Sequence, residues 1–333
     1  MTHHGAKIEA IRTAAIAALA VVVAAGGCRL VRRGAGVVGS GPTAPVLIQT
    51  GATASQIVAA VNQNTTRVQS YTATNASFSM PGMPGLPMLK GDIVLERPKR
   101  FRLRAGTALT GGEVDLGSND DLFWLWAKRN DPPAVYFARH DQHASGAARQ
   151  LLPIDPAWVI DALGLVTLDP NATYQGPLPR SDGSLELRHT AVGPNGPVQR
   201  VTVIDPTRAW VTEQHVYDGS GAVIASAVAE DFRFEPTQQV SLPRQVTIRV
   251  PNADLALTIK TGVVAVNAPI ANPAQHWTLP YIDGTPQVDL GLSDGLPGLA
   301  ASSPGANSQL AQPLRTSQRL PAGGVALPPR RRQ

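Results

Sequence analysis

Two features of this 333-residue chain consist of residues that could carry out chemistry: a single cysteine, Cys28, and one His/Asp cluster around His140 and His143. A lone cysteine excludes an internal disulfide and any zinc site built only from cysteines. The two histidines have a spacing that suits metal binding on a helix, but the surrounding pattern predicts a strand or loop, and no glutamate base lies between them. No nucleophile elbow, phosphate loop or supported carboxylate pair occurs. The sequence therefore predicts no enzyme, no cofactor and no metal site.

The position of Cys28 is more informative than its reactivity. A short basic stretch precedes an apolar run from Thr13 to Ala25, which is shorter than the ~20 residues needed to cross a bilayer. Two glycines then lead into Cys28, a pattern that resembles the bacterial lipobox, although Ala25 stands where leucine is commonest. We expect residues 1–28 to be a signal peptide, with Cys28 lipidated after export. The alternatives are an ordinary secretory signal with a chance cysteine, or a buried free thiol.

The formal charge of +5 does not indicate a nucleic-acid partner, because the positive charge lies at the two ends of the chain. Residues 1–50 carry five basic and one acidic side chain, and residues 283–333 carry five and three, which leaves 19 basic and 20 acidic groups between them. A near-neutral body lacks the basic surface that phosphate binding requires.

Composition divides the chain into a body with a loose segment at either end. Residues 29–52 are small, glycine-rich and aperiodic, as expected of a flexible linker. Residues 283–333 contain no aromatic side chain and no sustained period, and they are predicted to be a disordered tail. Its terminal Arg330–Arg332 could contact anionic headgroups or polymers, or could simply be solvated. The folded domain is expected at 53–282.

Hydrophobic periodicity predicts a mainly β body with two helices. Apolar positions at helical spacing from Ile57 to Val68 follow the plausible caps Thr53 and Ser55, and a second helix is predicted over 155–166, with Asp155 as its cap. Short runs bounded by Pro, Gly, Asn and Asp predict strands at 71–80, 91–97, 100–105, 112–118, 121–128, 134–139, 184–190, 198–205, 210–218, 222–235, 244–250 and 255–266. Because strands and helices do not alternate, we expect one strongly curved antiparallel sheet with helices on one side.

The segment Gly91-Asp92-Ile93-Val94-Leu95-Glu96-Arg97-Pro98-Lys99-Arg100-Phe101-Arg102 resembles the LolA/LolB lipoprotein-carrier superfamily, in which G-D-(apolar)-x-x-x-R-P-x-x-F forms two successive strands. The order of elements over residues 53–281 also agrees. The resemblance implies an incomplete β-barrel, here of about 11 strands, whose helices form a lid over a hollow that binds acyl chains. It also implies a lid-gating role for Arg97. Two features depart from the soluble carriers: the turn over 117–126 is altered, and Cys28 favours a receptor-like role.

Several apolar residues are candidates for contact with a ligand or a membrane. The Pro/Gly-punctuated loop that carries Met80, Met83, Leu86 and Met88 could contact lipid, or could fold back over the hollow as a plug. The remaining candidates line the hollow or belong to the core: Phe123, Trp124, Trp126 and Trp158.

The sequence thus predicts a protein of the bacterial envelope, facing the periplasm, anchored by lipid in the outer rather than the inner membrane. Its expected partner is an acyl chain or the lipid moiety of a lipoprotein. The alternative is a structural or sensory envelope lipoprotein that uses the same fold to bind a protein partner.

Overall fold

The computed structural model describes residues 42–80, 88–130, 132–143, 148, 156–193 and 196–292. The predicted signal peptide with Cys28, most of the 80–88 loop, the predicted helix cap Asp155 and the chain beyond residue 292 lie outside these ranges. No helix of the described part is both long and apolar enough to cross a membrane.

The described residues form one curved sheet of fifteen strands that does not close on itself. Its order is β15-β6-β5-β4-β3-β2-β1-β13-β12-β11-β10-β9-β8-β7, with β14 pairing beside β13 on β1. The strands are β1 (Ser70–Ser79), β2 (Leu89–Glu96), β3 (Arg100–Thr107), β4 (Gly111–Ser118), β5 (Leu122–Ala127), β6 (Val135–Arg139), β7 (Gln175–Pro179), β8 (Leu185–Gly193), β9 (Gly196–Ile204), β10 (Val211–Tyr217), β11 (Val223–Glu235), β12 (Val240–Val250), β13 (Leu255–Lys260), β14 (Val263–Val266) and β15 (Gln287–Asp289). The edge strands β15 and β7 each pair with one neighbour only. The predicted incomplete barrel is confirmed.

The strand count differs from the predicted eleven or so for three local reasons. β7 contains two prolines and a glycine, which gives it no strand signal. The predicted strand 255–266 divides into β13 and β14 near Gly262, where an added Cβ would overlap the Thr74 carbonyl oxygen. β15 is only three residues long and pairs parallel to β6, so its presence depends on a partner distant in sequence.

Two segments pack against the domain although the sequence analysis placed them outside it. β15 lies within the predicted tail, and beyond it the buried Leu290 donates its backbone N–H to the Phe137 carbonyl over 2.8 Å. In the predicted flexible linker, the backbone N–H groups of Leu47 and Ile48 both reach the Thr207 carbonyl, and Ile48 is buried. The described domain therefore extends beyond the predicted 53–282 at both ends.

The pleat of the sheet separates an apolar concave face from a more polar convex face. In β3, Phe101 and Leu103 belong to the main hydrophobic core, whereas Arg102 between them points to the other side. Arg102 forms a buried ion pair with Asp115 of β4, at 2.5 Å between Nη2 and Oδ2. Its Nη1 also donates to the carbonyl of Gln275 at 2.7 Å, which holds the C-terminal segment over the convex face.

Helix α1 (Ala54–Thr65) forms as the sequence predicts, with Thr53 as its cap. The Gln56 backbone N–H donates to the Thr53 hydroxyl at 3.4 Å, and the Thr53 N–H donates to the Gln56 side chain at 2.8 Å, which completes a capping box. Its buried face, centred on Ile57 and Val61, packs in a second core cluster with Leu187 and Ile204 of the sheet. Ser55, the other candidate cap, contacts the Thr53 hydroxyl.

The second predicted helix divides into two parts. Helix α2 (Pro156–Ile160) continues into a π-helical turn (Asp161–Leu165), and the chain becomes extended at Val166. Gly164 within the turn has φ of +90°, a conformation that a side chain rarely permits. A short helix α3 (Pro273–His276) lies in the C-terminal segment.

Candidate ligand-binding site inside the half-barrel

Residues 156–169, named here the inner segment, lie on the concave face of the sheet. Trp158 is only 4% exposed and shares the main core cluster with Leu163, Leu165 and, from the sheet, Phe123. These side chains fill the space that an open half-barrel would leave to solvent. The hollow predicted from the sequence is therefore occupied, in this structure, by the chain's own α2 and the turn that follows it.

Arg97 holds the C-terminal end of the inner segment. It lies in the connection between β2 and β3, and its Nη2 donates to the carbonyl of Leu165 at 2.5 Å and to that of Thr65 at 3.4 Å. Its Nη1 donates to the Thr167 hydroxyl at 3.1 Å. One guanidinium thus connects the sheet, the end of α1 and the inner segment, which its fork of directional donors makes possible.

The electrostatic surroundings of Arg97 are not those of an ordinary surface arginine. Burial lowers the pKa of Arg97 from its usual value, and the negative charge of Asp161 opposes this effect. The guanidinium stays charged at neutral pH, since arginine is the most strongly basic side chain. Its Nε is buried without a hydrogen-bond partner in the described structure. The closed arrangement therefore leaves one donor of Arg97 unsatisfied.

Two amides add further hydrogen bonds to the inner segment. Asn62 of α1 donates from Nδ2 to the Leu168 carbonyl at 2.8 Å and accepts from the Leu168 backbone N–H at 2.9 Å. Gln214 of β10 donates from Nε2 to the Asp161 carbonyl at 2.9 Å. The segment is therefore held by side chains from α1, from the sheet and from the β2–β3 connection.

Gly164 lets the inner segment approach β12 closely. A Cβ at this position would lie 2.5 Å from Cδ of Pro243, well inside van der Waals contact. Together with the φ of +90°, this closeness excludes a larger side chain without a shift of the segment. The turn at Gly164 is thus fitted to the closed position.

A cavity of about 350 Å³ remains beside the inner segment, between it and strands β8, β9 and β10. Trp158 and Asp161 line it on one side, and His189, Arg200 and Gln214 line it on the sheet side. It differs from the apolar core around it because charged and polar groups form much of its wall. Within the described part of the half-barrel, a ligand could therefore occupy this cavity or the volume now filled by the inner segment.

The three aromatic candidates in β5 divide between the two faces. Phe123 lies on the concave face within the main core, but Trp124 and Trp126 alternate to the convex face, so they do not line the hollow. Trp124 is buried there over Gly117, whose missing side chain leaves room for the indole, and its Nε1 donates to Asp115 at 3.1 Å. A run of apolar residues in the sequence could not distinguish these faces.

The methionine loop is only partly described. Met80 is half-buried and Met88 is 58% exposed, whereas Met83 and Leu86 lie outside the described residues. Met80 and Met88 follow and precede the paired ends of β1 and β2, which lie at the same rim of the sheet as the β3–β4 turn and the ends of β8 and β9 that pair at Gly193 and Gly196, and Arg97 lies at the opposite rim. Membrane contact and plugging both stay predictions for this loop.

The histidines of the His/Asp cluster make structural contacts with the sheet. His140 begins a short 3₁₀ turn, where its Nε2 lies 2.9 Å from the Asn119 carbonyl, and His143 packs edge-on against Phe123 at 5.5 Å between ring centroids. Among the described residues, no three His, Cys, Asp or Glu side chains form a group that could hold a metal ion.

Sequence reasoning missed Asn62 and Gln214, which hold the inner segment together with Arg97, and His189 and Arg200, which line the cavity. Asn62 carried one signal, a polar residue one position from the apolar stripe of an amphipathic helix. Gln214, His189 and Arg200 carried none, because each belongs to a strand whose alternation looks ordinary.

Comparisons with known proteins give likeness of fold alone. No family model and no curated protein sequence matches the chain. Among solved structures, it is similar to a domain named for outer membrane lipoprotein sorting from Vibrio parahaemolyticus, with TM-score 0.46 and 9% identity over 66% of this chain and 98% of that one. It is also similar to a DUF1329 family protein from Desulfovibrio piger (TM-score 0.44, 9% identity, 66% and 93% covered) and to a LolA superfamily protein from Nitrosomonas europaea (TM-score 0.43, 11%, 68% and 98%). These similarities cover about two thirds of this chain, and matches this distant say nothing about its ligand.

Proposed function

We propose that this protein is a non-catalytic, lipid-anchored protein of the bacterial envelope that binds an acyl chain, or the lipid moiety of a lipoprotein, in its half-barrel. The observation that carries the proposal is the inner segment: apolar side chains fill the concave face, but Arg97, Asn62 and Gln214 hold them there through hydrogen bonds that can be broken and remade.

The free energy gained by burying an acyl chain is comparable with the free energy lost when the inner segment leaves the concave face. Burying an acyl chain contributes about 0.8 kcal/mol per methylene, whereas exposing a large apolar side chain costs about 1.5–3 kcal/mol. Each hydrogen bond lost from the inner segment costs a further ~1 kcal/mol. A long acyl chain can therefore offset the displacement of Trp158 and its neighbours without a large surplus. That balance suits reversible binding.

The candidate residues take distinct roles in this proposal. Arg97 keeps the inner segment closed until ligand competes for the same space. Phe123 lines the volume that becomes available when Trp158 leaves. Met80 and Met88, at the rim opposite Arg97, contact the lipid surface from which the ligand comes.

Co-purification of lipid tests the proposal directly. We expect the Cys28→Ser protein, which cannot carry a covalent lipid at that position, to retain one non-covalent acyl-containing molecule after gentle extraction, because the inner segment and the ligand exchange within one concave face. Native mass spectrometry gives the mass of the complex, and organic extraction of the same sample identifies the fatty acids released. A delipidated sample should then take up palmitate with one-to-one stoichiometry. Protein that neither retains lipid nor binds palmitate would contradict the proposal.

The anchor at Cys28 has a separate test. We expect the chain, expressed in a bacterial host that lipidates such signals, to incorporate radiolabelled palmitate and to sediment with membranes, with the outer-membrane fraction favoured. Cys28→Ser should abolish the label and release the protein from the membrane, since a thioether-linked lipid needs the thiol. Arg33→Ser, five residues away, should change neither. Persistent labelling of Cys28→Ser would contradict lipidation at this residue.

A second function is favoured by the same filled hollow. If the inner segment never leaves, the concave face is a core, and the protein is a structural or sensory envelope lipoprotein that binds a protein partner by its surface. Retained lipid or palmitate uptake in the test above excludes this alternative, and a domain that stays empty supports it.

A further inference from the structure

Arg200 and His189 lie side by side on the concave face, facing the cavity beside the inner segment. The two residues are directly opposite each other in the β8–β9 ladder, and both line the cavity of about 350 Å³. His189 packs against the ring of Tyr174 at 5.0 Å between centroids. A guanidinium and an imidazole are thus presented together to one cavity.

Neither residue has its hydrogen-bonding capacity satisfied within the described structure. Nε of Arg200 and Nδ1 of His189 are buried without a hydrogen-bond partner. Among the described residues, Arg200 also forms no ion pair within 4 Å, although ten other ion pairs in the domain join arginine or lysine to a carboxylate and one joins a histidine to a carboxylate. A partly buried cation without a partner is costly, and an anionic ligand would remove that cost.

The other charged groups of the cavity are engaged elsewhere. The Asp169 carboxylate accepts the Asn171 backbone N–H at 2.8 Å and so caps its own turn. Asp161 acts electrostatically on Arg97. His215 pairs with Glu213 at 2.9 Å. Arg200 is therefore the cation of this cavity that no carboxylate neutralises at close range.

The imidazole of His189 complements Arg200 as an uncharged donor. Burial, and next the positive charge of Arg200, lower the pKa of His189 from its usual value, while Asp169 opposes them. At neutral pH the ring is therefore neutral and can offer one N–H to an acceptor without adding a second buried charge.

We propose that Arg200 and His189 bind the anionic headgroup of an amphiphilic ligand, a phosphate or a carboxylate, whose apolar chain enters the space vacated by Trp158. This inference rests on the proposed function, and it narrows the ligand class from acyl chains in general to anionic ones. Trp158 lines the cavity and also belongs to the main core, so head and tail sites are continuous.

Three ligands that share one tail test the headgroup site. Hexadecyl phosphate, palmitate and hexadecanol compete with a neutral fluorescent reporter, N-phenyl-1-naphthylamine, for the delipidated Cys28→Ser protein. We expect at least one of the two anions to displace the reporter at a concentration about tenfold or more below that of hexadecanol, because a charge-assisted hydrogen bond is gained. The stronger of the two anions identifies the headgroup chemistry.

Arg200→Gln should reduce the preference for the stronger anion over hexadecanol to less than about threefold, with hexadecanol binding unchanged. Arg249→Gln is the matched control, since Arg249 is an exposed arginine of β12 without a hydrogen-bond or ion-pair partner among the described residues. It should keep the full preference. If all three ligands bind equally to the unchanged and Arg200→Gln proteins, the headgroup site is wrong while acyl binding stands. If none of the three displaces the reporter, the proposed function fails as well.

Discussion

Replacing Arg97 with leucine should increase the apparent affinity for palmitate by about tenfold, because the closed inner segment competes with the ligand and Arg97 stabilises the closed state. The apparent dissociation constant scales inversely with the open fraction, so a loss of about 1.4 kcal/mol from the closed state gives this factor. The variant loses the hydrogen bonds to Leu165, Thr167 and Thr65. We also expect the domain to stay folded, with faster hydrogen exchange of the inner segment.

Lys99→Leu is the control for this substitution. Lys99 lies two residues away in the same connection, is exposed, and has no hydrogen-bond or ion-pair partner among the described residues. It should change neither palmitate affinity nor exchange of the inner segment. Faster exchange in Arg97→Leu without any gain in affinity would mean that Arg97 holds the segment but does not control access. No change in either measurement would discard the gating role.

The sequence predicts most helices and strands of this fold, but it predicts the boundaries of the domain less well. Helices α1 and α2 and all the strands with alternating or β-branched residues could be located, because periodicity reports which side of an element is buried. The four-residue helix α3 is too short to show a period. β7 and β15 could not, since their residues have poor strand propensity and depend on a neighbouring strand for their backbone hydrogen bonds. The same reason explains why Ile48 and Leu290, placed in a linker and a tail, are buried in the domain.

The residues of the candidate site likewise differ in whether the sequence could predict them. Arg97 was predicted only because a local motif resembles a known superfamily, and the structure places it against the inner segment. Arg200 and His189 belong to different strands and meet through register, which a single sequence does not encode locally. Trp124 illustrates the reverse case, because composition suggested a ligand-lining aromatic residue and the pleat turned it to the convex face.

Trp158→Ala should produce a large loss of stability together with a gain in ligand binding. Removing a buried tryptophan from a core costs about 3–5 kcal/mol, which lowers the Tm of a domain of this size by roughly 10 °C. The space left behind lies on the concave face beside the cavity. A ligand that must displace Trp158 in the unchanged protein finds that volume already vacant in the variant. We therefore expect saturating palmitate to raise the Tm of Trp158→Ala more than that of the unchanged protein, and the reporter to bind about tenfold more tightly.

Trp124→Ala is the control that separates a gain in ligand binding caused by vacated space from one caused by lower stability of the whole domain. Trp124 is fully buried like Trp158, but it lies on the convex face, over Gly117 and beside Asp115. Its loss should cost a comparable amount of stability, because the same side chain is deleted and a hydrogen bond to Asp115 is lost with it. It creates no space within the half-barrel, so palmitate should stabilise it no more than the unchanged protein. An equal gain in both variants would show that ligand binding follows instability rather than a vacated concave face, and the exchange between Trp158 and an acyl chain would then be wrong.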